Sequence, residues 1–189
     1  MLRPFRAYAA LAAEPPSSGA AWLFVRGPMK LLLTLGVFVS ITTAARIVWP
    51  HVALAFIAWA FAPLLQMTFV VAVAGAFRSK RRAAELVDLY FVGQGPWLLL
   101  LCALSGICLF APEVWPVFRW LLSWNVLLVA LVVTILWSGT LTAAFFRHGA
   151  GLGRGATAGA TAAFYLAYFG ALFLYYLVTG QLAPILGAG

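Results

Sequence analysis

Five stretches of the chain are apolar almost without interruption, residues 31–49, 52–77, 96–110, 117–146 and 156–185, and the basic residues collect in the gaps between them. Within the runs the apolar side chains face every direction. Residues 98–101 are four consecutive leucines, and 127–135 read Leu-Leu-Val-Ala-Leu-Val-Val-Thr-Ile. A transmembrane barrel would alternate apolar and polar positions in segments of about ten residues, so this pattern excludes a barrel and predicts helices that are apolar all round. About 20 helical residues cross a bilayer core at 1.5 Å per residue, so the runs 117–146 and 156–185 must tilt or project. The run 96–110 is short, and it borrows the preceding turn at 86–92 or sits where the bilayer thins. The expected fold is an all-α polytopic membrane bundle: five transmembrane helices in a membrane domain spanning 31–189, behind a leader at 1–30.

The leader does not read as a secretory signal peptide, because Arg3 and Arg6 are followed by AYAALAAEPPSS instead of a continuous apolar run with a cleavage site. It predicts two short interfacial helices. One covers residues 4–13 and is stopped by Pro15 and Pro16; the other is capped by Ser18 and runs to Arg26 before Gly27 and Pro28. Trp22, Leu23 and Phe24 suit the headgroup boundary, with Arg26 and Lys30 reaching anionic lipid. Two readings stay open for this leader, a membrane-surface docking element and a plain anchor.

Composition removes the remaining alternatives. The 189 residues are 65% hydrophobic and 8% charged, with a mean hydropathy of +1.04, against about 45–50% and about 25% in soluble domains. Aromatic residues make up 15% of the chain, which excludes intrinsic disorder. The formal charge is +8. With five spans, ten of the twelve Lys and Arg fall on one side: Arg3, Arg6, Arg26 and Lys30, then Arg78, Lys80, Arg81 and Arg82, then Arg147 and Arg154. Only Arg46 and Arg119 fall on the other. The positive-inside rule then predicts a cytoplasmic N-terminus and an external C-terminus. The charge is a topological signal, and nucleic acid is not an expected partner.

Few residue patterns suggest chemistry. His51 and His148 fall at opposite membrane boundaries, which rules out a bis-histidine haem within one chain, and neither has Cys, Asp or Glu at a metal-site spacing. Cys102 and Cys108 lie about 9 Å apart along one helix and about 120° apart around it, so they form neither an intrahelical disulfide nor a CxxC redox pair and are expected to be buried packing residues. No acid lies mid-span, which argues against proton-coupled carriers and pumps. Glu85 and Asp88 share a helix face near Arg81 and Arg82 and read as a solvated face with local ion pairs. The loop 149–155, GAGLGRG, follows no strand and precedes no Lys-Ser/Thr, so it is not a P-loop. No cofactor, metal site or catalytic constellation is expected, and the chain is read as a non-enzyme.

Two features bear on packing. Pro63 should kink the second span near mid-membrane with Gln66 one turn beyond. Gln66 and Asn125 need partners, as interhelical hydrogen bonds or, with Pro63, as the lining of a polar path. In the fifth span Gly151, Gly155, Gly159, Ala163, Ala167 and Ala171 recur every four residues and form a smooth stripe for close helix packing, within the bundle or between chains. Gly36, Ser40 and Ala44 repeat the idea in the first span.

The segment DLYFVGQGPW at 88–97 is the most distinctive in the chain. It joins an interfacial helix to a span through a Gly-rich break, with Pro96 at a suitable first helical position. It resembles the Yip family of Ypt/Rab-interacting membrane proteins, whose DLYGP-type motif is split here into DLY and GPW. The five-span layout and the AEPP leader are similar to bacterial members of that group. The resemblance implies a non-enzymatic integral membrane protein in which Asp88, Leu89, Tyr90, Gly95, Pro96 and Trp97 are motif positions with an interaction or folding role. The minimal leader and the Arg- and Ala-rich composition, as in a GC-rich bacterial genome, leave a Rab-type GTPase outside the expected partners. The expectation is a scaffold or accessory subunit in a bacterial cytoplasmic membrane, whose partners are the bilayer and other membrane proteins or copies of itself. The alternative is a small permease or transporter membrane component.

Overall fold

The computed structural model describes residues 3–13, 27–114 and 123–179, all of them helical or in turns between helices. The described helices are α1 (Pro4–Ala13), α2 (Pro28–Ala44), α3 (Trp49–Trp59), α4 (Phe61–Ala76), α5 (Ala83–Val92), α6 (Gly95–Val114), α7 (Trp124–Ala144) and α8 (Arg154–Val178), with a π-turn at Phe145–Gly149. Among the described residues three helical stretches are long and apolar enough to cross a membrane: Trp49–Ala76, Trp124–Gly149 and Arg154–Tyr175. A bent pair, Ala83–Val92 with Gly95–Leu109, makes up to a fourth. Between 17% and 22% of these three windows is buried, so most of each apolar surface has only hydrocarbon or a partner to cover it. The leader helix predicted at 4–13 is present; the second one and Trp22, Leu23 and Phe24 lie outside the described residues, as do residues 180–185 of the fifth predicted run.

Helix α2 stops at Ala44, five residues before the end of its apolar run. Ala45 takes a left-handed conformation (φ 53°) and turns the chain into α3. The turn is stitched by Ser40, whose fully buried Oγ accepts from the Val48 N–H at 2.7 Å and donates to the Arg46 carbonyl at 3.0 Å. Ser40→Ala leaves both backbone groups without that partner, and a loss of about 1–3 kcal/mol is expected; a thermal-unfolding midpoint in detergent equal to that of the unchanged protein would refute it. Gly36 lets the two helices approach. A Cβ there would stand 2.9 Å from both Cγ1 and the carbonyl oxygen of Val52.

The break between α3 and α4 falls at Ala60, three residues before Pro63. Pro63 has no N–H for the Trp59 carbonyl, and its ring crowds that group. Ala60 N–H bonds Ile57 at 3.3 Å and Leu64 N–H reaches Ala60 at 3.4 Å, a stretched ladder at the expected kink. Helix α4 closes on a left-handed Arg78 (φ 61°), with Arg78 N–H on Gly75 and Ser79 N–H on Ala74, the paired bonds of a Schellman cap. Its two ends meet α8 in antiparallel order: Phe77 lies over Gly159, and Phe61 stacks on Tyr175 at 4.1 Å.

The π-turn after α7 explains why Phe145 and Phe146, though adjacent, are both fully buried. The Ala150 N–H bonds the Phe145 carbonyl, and the widened turn swings successive rings toward one core. Tyr8, Tyr90, Phe91 and Phe164 complete this aromatic cluster with Val70, Ala74, Leu86 and Leu141. The core therefore sits at one end of the bundle. The basic side chains gather at the same end, because Ser79 Oγ donates to the Ala150 carbonyl at 2.7 Å and Arg81 Nη2 donates to the Ala12 carbonyl at 2.8 Å. These contacts join the 77–82 turn, the 147–153 loop and α1.

Candidate functional site

The split motif is the junction where α5 and α6 meet at 43°. Helix α5 starts after Arg82, and Glu85 in its first turn faces the positive end of the helix dipole. Arg81 and Glu85 form a 3.6 Å pair with both side chains partly exposed, which contributes little to stability. The buried face of α5 is Leu86, Val87, Tyr90 and Phe91. Asp88 and Leu89 flank that face and are half-buried, with Leu89 packed against the core.

Beyond the bend, Pro96 is buried, Gly95 is exposed, and the indole of Trp97 donates to Ser138 Oγ of α7 at 3.2 Å. Of the six motif positions, Tyr90, Pro96 and Trp97 thus point into the bundle. Trp97 ties the junction to α7, and Tyr90 packs on Phe145 and Phe164.

A small polar cage forms at the bend from Tyr8, Tyr90, Gly93, Gln94, Ser138, Leu141 and Thr142. Gln94 is buried with its Oε1 lacking a hydrogen-bond partner. Thr142 and Tyr165 share a 3.1 Å hydrogen bond that ties α7 to α8. Gly93 has no room for a side chain, since a Cβ would collide with the Tyr8 hydroxyl oxygen. Tyr8 is 1% exposed and packs edge-on to Phe145, with ring centroids 6.2 Å apart. Burial pushes the Tyr8 phenol well above its ordinary value, so it stays neutral at any working pH. Tyr8, Ser138, Thr142 and Tyr165 carried no sequence signal as a group, because their meeting depends on the bend and on the docking of α1.

The other predicted positions do not gather into one place. Gln66 is buried on α4, near buried Pro63, with its Oε1 unpartnered. Asn125 is exposed in the first turn of α7. Counted from the basic ends of their helices, Gln66 lies about 15 Å along α4 and Asn125 about 29 Å along α7. The two residues therefore stand at different depths of the bundle, Gln66 buried and Asn125 exposed.

The small-residue stripe also needs correction. Gly151 lies outside α8, in a left-handed turn with φ 72° that begins the loop into the helix. Gly155 starts the stripe in open space, Gly159 receives Phe77, and Ala163, Ala167 and Ala171 continue it half-buried. The residues that α8 buries completely, Ala160 and Phe164, lie beside that stripe.

Cys102 and Cys108 are free thiols, with Cys102 exposed and Cys108 half-buried, so the expectation of buried packing fails for Cys102. Among the described residues no three His, Cys, Asp or Glu come together as a metal would need. Comparison with family models, with curated proteins and with solved structures finds no match for the chain.

Proposed function

We propose that the chain is a five-span protein of the bacterial cytoplasmic membrane, with its basic end in the cytoplasm, that acts without catalytic machinery as a scaffold or accessory subunit. In this reading α2 is a further crossing of about 25 Å at 1.5 Å per residue. The observation that carries the proposal is where the polar side chains go. Ser40, Ser138, Thr142 and Trp97 are spent on joining one helix to the next, while α7 leaves Val129, Val132, Val133 and Leu136 bare on its outer face. A bundle that uses these interior polar groups to join its helices and keeps an uncharged outer face on α7 is suited to lateral association. The Yip-type resemblance supports the same role, with Tyr90, Pro96 and Trp97 acting in folding.

The test is oligomeric state in lipid nanodiscs, combined with Val132→Cys crosslinking in a cysteine-free background. Discrete self-crosslinked species, or a stoichiometric membrane partner retained through purification, are the expected results. A solitary monomer with neither would end the scaffold reading. The permease alternative keeps one specific observation, the unpartnered Oε1 of buried Gln66 beside the Pro63 kink. It gains support only if a small metabolite raises the unfolding temperature and Gln66→Leu abolishes that rise.

A further inference from the structure

The loop from the π-turn to α8 builds a second feature at the basic end, separate from the junction. Arg147 and His148 lie within the π-turn, Arg154 opens α8 and Thr157 lies one turn further on. With Phe5 of α1 they line an open cleft of about 420 Å³, and none of its described lining residues is a carboxylate.

The walls of the cleft are held in place. Arg147 donates from Nη1 to the Leu152 carbonyl at 2.6 Å, which fixes the guanidinium and leaves its other N–H groups for a ligand. The His148 ring meets Phe5 edge-on, with centroids 6.0 Å apart. Thr157 directs both its amide and its hydroxyl to the Gly153 carbonyl, at 2.8 and 2.9 Å. The amides of Arg154, Gly155 and Ala156 precede the first intrahelical bond, and Gly153 offers no side chain to cap them. Two guanidiniums, an imidazole and the positive end of a 25-residue helix thus converge on one volume without a carboxylate among its described lining residues. A planar guanidinium beside open amides matches the oxygens of a phosphate.

We propose that this cleft binds a phosphate group, specifically that of an anionic phospholipid headgroup at the membrane surface. The lipid assignment rests on the reading that the apolar helices lie in a bilayer with this end at its face; the phosphate chemistry does not. The Phe5 ring gives the remainder of a lipid an apolar contact.

The experiment uses the full chain in dodecyl maltoside, titrated separately with phosphatidylglycerol, phosphatidylcholine and sodium phosphate, and read by native mass spectrometry and thermal unfolding. One phosphatidylglycerol should be retained per chain and raise the unfolding midpoint, whereas phosphatidylcholine should do neither. Arg154→Gln should weaken phosphatidylglycerol binding about tenfold, the effect of losing one charge-assisted hydrogen bond. Because Arg147 also supports Leu152, Arg147→Gln is judged only by the difference between its two lipid titrations. Equal retention of the two lipids, or an unchanged phosphatidylglycerol response in both Arg154→Gln and Arg147→Gln, overturns the proposal. An Arg154-dependent shift produced by sodium phosphate and not by phosphatidylglycerol overturns the lipid assignment and leaves a soluble phosphate as the ligand. The same native spectra report oligomeric state, so failure of the scaffold reading is seen independently.

Discussion

Replacing Gly36 with leucine is expected to open the α2–α3 hairpin, even though the change makes the chain more apolar. Hydrophobicity gives no drive for helix association inside lipid, where tails are as apolar as leucine; what remains is close packing and hydrogen bonding. Gly36 supplies that packing. Even the first atom of a side chain would stand 2.9 Å from Val52 Cγ1 and from the Val52 carbonyl oxygen, and the carbonyl cannot rotate away as a side chain could. Overpacking a core by flexible atoms costs about 1–3 kcal/mol, and here the hairpin must also separate, which pulls Ser40 from the Val48 N–H. A loss of about 3 kcal/mol or more is expected, a large fraction of the roughly 5–15 kcal/mol that holds a typical protein together. Gly170→Ala is the control. Nothing lies within 4 Å of a Cβ at Gly170, so alanine should leave stability unchanged or raise it by up to about 1 kcal/mol through backbone entropy. Equal unfolding midpoints for Gly36→Leu and Gly170→Ala would refute the close approach.

The contrast between these two glycines shows how far the sequence could be read. Apolar runs mark where helices form, and Pro63 marks a kink, because both signals are local. The end of α2 is different: Ile47, Val48 and Trp49 continue the apolar run through a turn that is made by left-handed Ala45 and by Ser40 reaching eight residues ahead. The π-turn is equally silent, since Phe145 and Phe146 suit an α-helix as well as a wider one, and only the shared core decides between them. Basic residues could be counted from the chain, yet the convergence of Arg147, His148 and Arg154 on Phe5 depends on where α1 docks. The different depths of Gln66 and Asn125 are illegible for the same reason, because residue type gives a need for a partner but not a position along the bundle axis.

The docking of α1 is the second strong test. Tyr8→Ala is expected to release α1 from the core, because the ring is almost fully enclosed against Phe145 and deletion of a buried aromatic costs about 3 kcal/mol or more. The half-buried Pro4, Ala7, Leu11 and Ala12, with Phe5 on His148 and Arg81 on the Ala12 carbonyl, add only small or single contacts against the conformational entropy of ten residues. Hydrogen exchange over residues 4–13 should therefore rise together with the fall in the unfolding midpoint, while α2 and α3 keep their protection. Gly93→Ala approaches the same contact from the other side. Its Cβ would collide with the Tyr8 hydroxyl oxygen and also press the Tyr90 carbonyl at 3.2 Å, so in the unchanged background it should likewise expose α1. In a Tyr8→Phe background the hydroxyl is gone, and most of the cost of Gly93→Ala should vanish. That non-additivity is specific to direct contact, since substitutions without shared partners add to within about 0.5 kcal/mol. If Gly93→Ala costs the same with tyrosine and with phenylalanine at position 8, α1 does not seat on the bend, and the Phe5 wall of the phosphate cleft loses its anchor as well.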